Sequence, residues 1–375
     1  MKAINVGLIG TGYIGKSHAL AFRAVKSLFP EIPEIHLSCV CDLDPALAER
    51  MRAGFGFADA TTQWRDIIND PEIDLVSIAT PNAFHREMAC AALEAGKHVY
   101  CEKPMGVAYG DAKTMAEAAE KAPGQTMLAY NYLRSPAFAH ALKLVGGGEL
   151  GRIYFLRGVC EEEYLADPNA PFSWRCLKGM AGAGALGDLG SHLLCAIIAL
   201  MGPPTDLVAD MSTLIPDRKE SEGSSEAMKV ENEDVAHALM TFAAGATASF
   251  TTSRVSWGRK NRLAFDIYGE KGSIHFDQER MNELQLFEKD ASEENNGLRT
   301  ILIGPSHPPY DRFIPSGGHQ LGFNDLKTIE IAKFAEAIQS GKPVFPTFAD
   351  GLSIERCMDA IMSSAAARAW RRVSG

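Results

Sequence analysis

Asp188 and His192 stand four residues apart inside a glycine-rich run, Gly184-Ala185-Leu186-Gly187-Asp188-Leu189-Gly190-Ser191-His192. If a helix starts at or before Asp188, the two side chains share one of its faces. Histidine titrates near neutrality, so it can take the proton of a hydroxyl while hydride leaves the carbon that bears it. A neighbouring carboxylate can orient the substrate or stabilise the imidazolium. Without context the same pair reads as a helix cap and a core histidine. A third candidate, Lys103, lies between Glu102 and Pro104, directly after the apolar run Val99 to Cys101. A lysine on a proline-fixed turn at a strand end can reach over a flat ring, although Glu102 and Lys103 alone also read as a surface ion pair.

The elements that must position Lys103 are legible upstream. Ile4 to Ile9 is a short apolar run ending in glycine, the pattern of a strand buried on both faces. A helix follows from about Ile14 to Phe29, then a strand Ile35 to Cys41 and a helix Pro45 to Arg52 with proline in its first turn. Leu75 to Ala79, Val99 to Cys101 and Thr126 to Ala129 are further strands, with helices at Ala83 to Ala95 and Tyr109 to Lys121. Repeated β-α-β units require a parallel sheet with right-handed crossovers. The first half is therefore an α/β, doubly wound sheet.

Gly10-Thr11-Gly12-Tyr13-Ile14-Gly15 joins the first strand to the first helix. In that context the first glycine permits a tight turn, the second lets a pyrophosphate approach, and the third brings helix against strand; helix N-terminal amides then bind the anion. Asp42 ends the second strand, where a carboxylate accepts from ribose hydroxyls. It lies 27 residues after Gly15, against the usual spacing of about 20, and the extension Leu28 to Pro33 accounts for the excess. Leu43 and Asp44 follow, with no cation to meet a 2′-phosphate, so NAD is expected over NADP. Thr80-Pro81-Asn82 with His85 ends the third strand; Asn82 reads as a cofactor contact or as a helix cap.

After about residue 150 the texture changes. Arg152 to Val159, Val235 to Phe242, Thr247 to Ser253, Leu263 to Tyr268, Ser273 to Phe276 and Glu283 to Phe287 read as strands, many joined by glycine turns. Strands without intervening helices imply an antiparallel sheet, and hence an α+β second half. One helix, about Gly190 to Met201, interrupts it. Residues 216 to 234, polar and rich in Glu and Ser, read as a mobile excursion. The final helix, about Asp350 to Arg371, is amphipathic and is a candidate to pack back on the first domain.

At 375 residues the chain exceeds one ordinary core. A net charge of −10 gives no basic stripe for nucleic acid. The eight cysteines lack Cys-x-x-Cys spacing, no signal-peptide pattern opens the chain, and no apolar run reaches the roughly 18 residues of a membrane span. The expectation is a cytoplasmic protein. The ten histidines show no metal-site spacing. Carboxylates, an amide, Tyr164, Trp174 and Arg175 between Glu161 and Arg175 suit a polyol, whose hydroxyls take charged hydrogen bonds while its C–H face stacks on an aromatic ring. The alternative is a solvated loop. Arg175 leaves a carboxylated ligand open, and His319 is placed by nothing in the sequence.

Taken together and in this order, Gly10 to Gly15, Thr80-Pro81-Asn82 with His85, Glu102-Lys103-Pro104, Asn131 with Arg134, Asp188 with His192, and the turn Gly269 to Ser273 resemble the glucose–fructose oxidoreductase / inositol dehydrogenase / rhizopine catabolism (Gfo/Idh/MocA) family. The similarity is nearest to its levoglucosan- and inositol-dehydrogenase-like members. It implies an NAD-binding Rossmann domain over 1–130 and an α+β substrate-binding and oligomerisation domain with a large open sheet over 131–349, with 350–375 the candidate to return to the first. It also implies a homodimer or homotetramer. The expected reaction is NAD-dependent oxidation of a secondary hydroxyl on a neutral sugar, anhydrosugar or cyclitol. Lys103, Asp188 and His192 would be catalytic. Gly10, Gly12, Tyr13, Ile14, Gly15, Asp42, Thr80, Pro81, Asn82, His85, Glu102 and Lys103 would hold the cofactor, and Lys103, Asn131, Tyr164, Trp174, Arg175, Asp188 and His192 the substrate. The alternatives are an NADP-holding sugar–sugar oxidoreductase and a non-catalytic dinucleotide-binding regulator. One departure is Cys195, where the family commonly has Asp.

Overall fold

A computed structural model describes residues 2–289 and 293–373. The chain divides into two compact units, the first made of 1–134 and 322–352, the second of 135–321 and 353–375.

The first unit carries a six-stranded sheet in the order β3-β2-β1-β4-β5-β6. The strands are β1 (Ile4–Ile9), β2 (Ile35–Cys41), β3 (Asp59–Thr61), β4 (Leu75–Ile78), β5 (His98–Cys101) and β6 (Thr126–Leu128), all pairing parallel. Between them run α1 (Tyr13–Leu28), α2 (Pro45–Phe55), α3 (Trp64–Asn69), α4 (His85–Glu94) and α5 (Tyr109–Lys121). The short β3 and α3, with only Ile67 and Ile68 buried between them, give no extended apolar run and escaped the sequence reading. The register matters most for function. Ile9 pairs with Cys41 and Ile78, Ile78 with Cys101, and Cys101 with Leu128. Five strands thus end on one line, so Gly10, Asp42, Thr80, Lys103 and Asn131 emerge along a single edge. That carboxyl edge, with its switch between β1 and β4, is where open α/β sheets bind ligands.

The second unit opens with α6 (Pro136–Gly146) and a nine-stranded sheet in the order β16-β15-β14-β13-β7-β12-β11-β8-β17. Its members are β7 (Ile153–Glu161), β8 (Asp206–Ser212), β11 (Val235–Thr241), β12 (Thr247–Ser253), β13 (Arg262–Gly269), β14 (Gly272–Asp277), β15 (Glu283–Glu288), β16 (Arg299–Leu302) and β17 (Arg371–Arg372). Every pairing is antiparallel except β7 with β12. After the short helix α7 (Lys178–Ala181), a π-helical turn Leu186–Gly190 and α8 (Ser191–Met201) pack against the sheet. They come close because Gly190 has no side chain: a Cβ there would sit 2.9 Å from Phe250 and 3.1 Å from Thr252.

Two sequence expectations change. The 216–234 stretch is folded: β9 (Asp217–Lys219) pairs antiparallel with β10 (Ala227–Lys229), and Asn232, Glu233 and Asp234 are buried. Residues 219–229 are mostly exposed, while Arg218 and Asn232 to Asp234 belong to a buried hydrogen-bond network. Likewise, Lys178–Met201 is long and apolar enough to cross a membrane by length and composition, but most of it is buried inside the protein. Its hydropathy is that of a core helix.

The C-terminal segment also divides differently from the expectation. A helix that the sequence reading missed, α9 (Phe323–Ser340), belongs to the first unit, while α10 (Phe348–Ala367) is cut at Leu352 and runs on into the second. Helix α9 is buried around most of its circumference, so it lacks the one-sided apolar stripe that marks a surface helix.

Candidate active site

In the first unit the three motif glycines do different work. Gly10 has φ +99°, and a Cβ on it would lie 2.5 Å from the Ala79 carbonyl oxygen; one on Gly15 would lie 2.0 Å from the Gly10 oxygen. Both positions are closed by backbone. A Cβ on Gly12 would meet nothing, so this middle position is open to a ligand. Helix α1 starts here with no side-chain cap and no acidic residue in its first turn, which leaves amide donors for an anion. Asp42 is held over the turn: Oδ2 accepts from Thr11 N at 3.0 Å and Thr11 Oγ1 at 2.5 Å, and Oδ1 accepts from Asp44 N at 3.1 Å. Asn131 is buried, and its Nδ2 donor has no hydrogen-bond partner among the described residues. An open glycine, uncapped amides, a strand-end carboxylate and an orphaned amide donor on one edge fit a dinucleotide. Tyr13 is exposed and stacks on Phe323 at 6.0 Å; Ile14, Thr80 and Pro81 are half-buried, and Asn82 is buried.

Two expected cofactor contacts have other employment. His85 is fully buried, and its ring nitrogens reach the Pro104 and Thr80 carbonyls, each at 3.0 Å. It ties the turn after β4 to the turn after β5. Glu102 is likewise not a surface partner of Lys103. It is buried; Oε1 accepts from His18 Nε2 at 2.9 Å and from Lys327 Nζ at 2.7 Å, and Oε2 accepts from the Lys103 amide at 3.2 Å. Burial lowers His18 to about 4, helped by the Lys327 charge, so the ring is neutral. Because the Glu102 carboxylate only accepts, Nε2 carries the proton and Nδ1 accepts from Ser77 Oγ at 2.9 Å. Burial alone would raise Glu102, but Lys327 and His18 outweigh it and hold the carboxyl far below its usual range. Lys327 also donates to Tyr100 Oη at 3.1 Å and lies 3.4 Å from Glu330, to which Tyr100 donates.

In the second unit Asp188 sits in the π-helical turn and His192 in the first turn of α8, with His192 buried. The Tyr164 hydroxyl donates to Asp188 Oδ2 at 2.9 Å, and Arg175 Nε lies 3.4 Å from the same oxygen. Although the residue as a whole is 36% exposed, desolvation of its hydroxyl end and the Asp188 charge push the Tyr164 phenol above its usual value, so it stays a donor. The Arg175 guanidinium stands 4.6 Å over the Trp174 ring. The structure gathers Tyr164 and Arg175 at Asp188, with Trp174 against Arg175. His319 is exposed, and its carbonyl accepts from Tyr310; it joins no cluster. Cys195 is fully buried in α8.

Comparison with known proteins supplies the family. Residues 4–130 match the model of the oxidoreductase family with NAD-binding Rossmann fold, and 138–275 match the GFO/IDH/MocA C-terminal domain. The chain belongs to the Gfo/Idh/MocA oxidoreductase family. As a member it is an NAD-binding enzyme, and the predicted two-part fold is the family's. It is 39% identical to the levoglucosan dehydrogenase of Pseudarthrobacter phenanthrenivorans, over 99% of this chain and 98% of that protein. A solved levoglucosan dehydrogenase in complex with NADH and levoglucosan superposes with TM-score 0.96 at 39% identity, covering 100% of both chains; the complex with NADH and L-sorbose gives 0.97, covering 99% of each. A glucose-6-phosphate 3-dehydrogenase of Bacillus subtilis is 32% identical, but over 50% of this chain and 51% of that one.

Sequence reasoning missed the residues behind these motifs: His18, Tyr100, Lys327 and Glu330 in one unit, Asn232, Glu233, Asp234 and Arg254 in the other. For Asn232 to Asp234 a signal existed, three polar residues abutting an alternating apolar strand. Lys327 and Glu330 gave none, because an i,i+3 pair reads as surface.

Proposed function

We propose that this protein is an NAD-dependent dehydrogenase that oxidises a secondary hydroxyl of a neutral sugar, anhydrosugar or cyclitol, with levoglucosan the first compound to test. The full-length likeness to a levoglucosan dehydrogenase solved with NADH and levoglucosan carries this reading. The Asp188 carboxylate supports it, flanked by a phenol and a guanidinium that orient it for hydroxyls. Bound NAD would accept the hydride of the carbinol carbon. His192 takes the hydroxyl proton as general base, and Lys103 donates to the reacting oxygen and eases that proton's departure. Asp188 fixes a substrate hydroxyl, Arg175 and Tyr164 fix Asp188, and Trp174 offers a face to the sugar's C–H groups. Asn131 lines the nicotinamide side with its unpaired donor. Asp42, followed by Leu43 and Asp44, favours NAD over NADP.

The reading extends to assembly and place. The sheet face carrying Phe155, Arg157, Leu239 and Tyr268 is uncovered in one chain, with Phe155 and Tyr268 stacked at 4.6 Å, so a homodimer or homotetramer is proposed, in the cytoplasm. All eight cysteines are free thiols, as a reducing compartment would keep them.

The test is an NAD-reduction screen over levoglucosan, neutral sugars, inositols and sugar phosphates, repeated with NADP and with Lys103→Ala and His192→Ala. The expected result is turnover of a neutral compound with NAD, lowered roughly 100- to 10,000-fold in each variant while NADH still binds. Faster turnover of sugar phosphates, a preference for NADP, or variants as active as wild type would overturn the corresponding part.

A further inference from the structure

Tyr164, Arg175 and Asp188 meet from three separate segments, and one buried residue, Arg254, reaches all three segments through its side chain and its backbone. Arg254 follows β12 and is 1% exposed. Its Nε donates to Asp234 Oδ1 at 2.9 Å, and the two form a fully buried ion pair. Asp234 is anchored in turn, its Oδ2 accepting from the Leu214 and Ile215 amides at 2.8 and 2.9 Å. The other two guanidinium nitrogens point outward from that pair. Nη1 donates to the Arg175 carbonyl at 3.3 Å, and Nη2 donates to Asn232 Oδ1 at 3.0 Å. Asn232 returns its own amide to the Arg175 carbonyl at 2.9 Å.

The backbone of Arg254 serves the second segment: its carbonyl accepts from the Leu165 amide at 3.1 Å, fixing the residue after Tyr164. The third segment is the turn that carries Asp188. A Cβ on Gly184 would lie 3.0 Å from Arg254 Nη1 and 2.0 Å from the Glu233 carbonyl oxygen. That oxygen accepts from Ala185 N, and the Glu233 carboxylate accepts from Leu186 N at 2.8 Å. Asp188 N then donates to the Gly184 carbonyl at 3.0 Å. A planar guanidinium spreads five donors over a rigid fork and can reach a carboxylate, a backbone carbonyl and an amide oxygen on different sides of its plane, whereas an ammonium offers its three donors from a single point.

We infer that Arg254, clamped by Asp234 and Asn232, is a positioning residue for substrate recognition, holding Tyr164, Arg175 and the Asp188 turn in the one arrangement where phenol and guanidinium both meet the carboxylate. The role rests on the reading of Asp188 as a substrate contact. Arg254 does not touch substrate. It sets the direction of the Asp188 lone pairs and of the Arg175 side chain, so the chemistry it governs is discrimination among hydroxyl patterns rather than proton transfer itself.

Arg254→Lys keeps the charge opposite Asp234 and removes the fork. The expected result with levoglucosan and NAD is a fall in kcat/KM of roughly 100-fold, the scale of an ångström-level misplacement, carried mainly by KM, with NADH affinity unchanged. In an Asp188→Asn background the same substitution is expected to lower kcat/KM by less than about threefold, because residues acting through one another are not additive. An equal loss in both backgrounds, or no loss in either, overturns the proposal. Asn232→Ala is the milder variant: it leaves the Arg254–Asp234 pair in place and removes one of the two donors on the Arg175 carbonyl, and it is expected to raise KM in the same direction. Crystal structures of both variants judge the geometry without any substrate. Separation of the Tyr164 hydroxyl or the Arg175 guanidinium from Asp188 supports the proposal, and unchanged contacts overturn it. Wild-type protein inactive on every sugar would sink the functional reading alone, since the crystallographic result stands apart from turnover.

Discussion

Gly10–Gly15 and Gly184–Gly190 are both glycine-rich turns that feed a helix, and in both a missing side chain admits another group. In the first, the close neighbours are backbone atoms of the same motif or of the adjacent strand end: Ala79 against Gly10, and Gly10 against Gly15. The middle glycine faces open space. In the second, the neighbours arrive from about fifty to seventy residues away, Glu233 and Arg254 against Gly184, Phe250 and Thr252 against Gly190. The nucleotide turn is a local device that any strand–turn–helix can carry. The Asp188 turn is assembled by tertiary contacts, and its glycines make room for protein rather than for ligand.

The comparison is sharpest in single alanine substitutions. Gly15→Ala and Gly184→Ala each drive a Cβ to 2.0 Å from a carbonyl oxygen, so each is expected to destabilise its unit by more than about 4 kcal/mol, read as loss of folded protein or of the corresponding unfolding transition. Gly12→Ala, with nothing near its Cβ, is expected to change stability by less than about 0.5 kcal/mol while weakening NADH binding. A Gly12→Ala protein that binds NADH normally would break the assignment of that position to the ligand.

Both units also bury an ion pair behind their motif, and these differ in how they are closed. Arg254–Asp234 is satisfied mostly by backbone, whereas Glu102–Lys327 is embedded among titratable groups, His18, Tyr100 and Glu330. Lys327→Met is expected to cost about 3–5 kcal/mol, because it strands the Glu102 carboxylate. Adding Glu102→Gln is expected to recover a good part of that loss. Denaturant unfolding of the single and double variants measures both, and strictly additive losses would show that the two side chains do not act as a pair.

A smaller effect follows from His18. Its ring is neutral in the folded protein down to about 4, while the unfolded chain takes the proton near 6.5. Between those values the unfolded state binds more protons, so stability falls as pH drops from about 6.5 to 4, by about 3 kcal/mol in total. Melting temperatures from pH 7 to 4.5 should therefore fall less steeply in His18→Asn than in wild type. Parallel curves would remove His18 from the acid response.

How much of this was legible depended on where the information lies along the chain. The parallel sheet, the glycine turn, Asp42 and the Lys103 strand end could be read because each is a contiguous pattern: an apolar run, a turn residue, and a polar group at the strand's carboxyl end. The sequence pairs Asp188 with His192 on the 3.6-residue repeat of an α-helix, whereas Asp188 lies in a π-helical turn before the helix that carries His192. The buried 232–234 stretch read as solvated because composition reports polarity but not whether partners satisfy it. Glu102 and His85 read as ligand contacts for the related reason that their turns were visible and their partners were not.

The sequence by itself determined the α/β first half, the α+β second half, the cofactor edge and the residue types available for hydride and proton chemistry, since local periodicity and turn chemistry specify these. Only the tertiary structure decided that Glu102 faces Lys327 rather than solvent, that Asn131 keeps an unpaired donor, and that Tyr164 and Arg175 converge on Asp188 through Arg254. Each of those facts joins segments distant in the chain. Buried polar groups must find partners wherever folding brings them, and no spacing along the chain records which partner that will be.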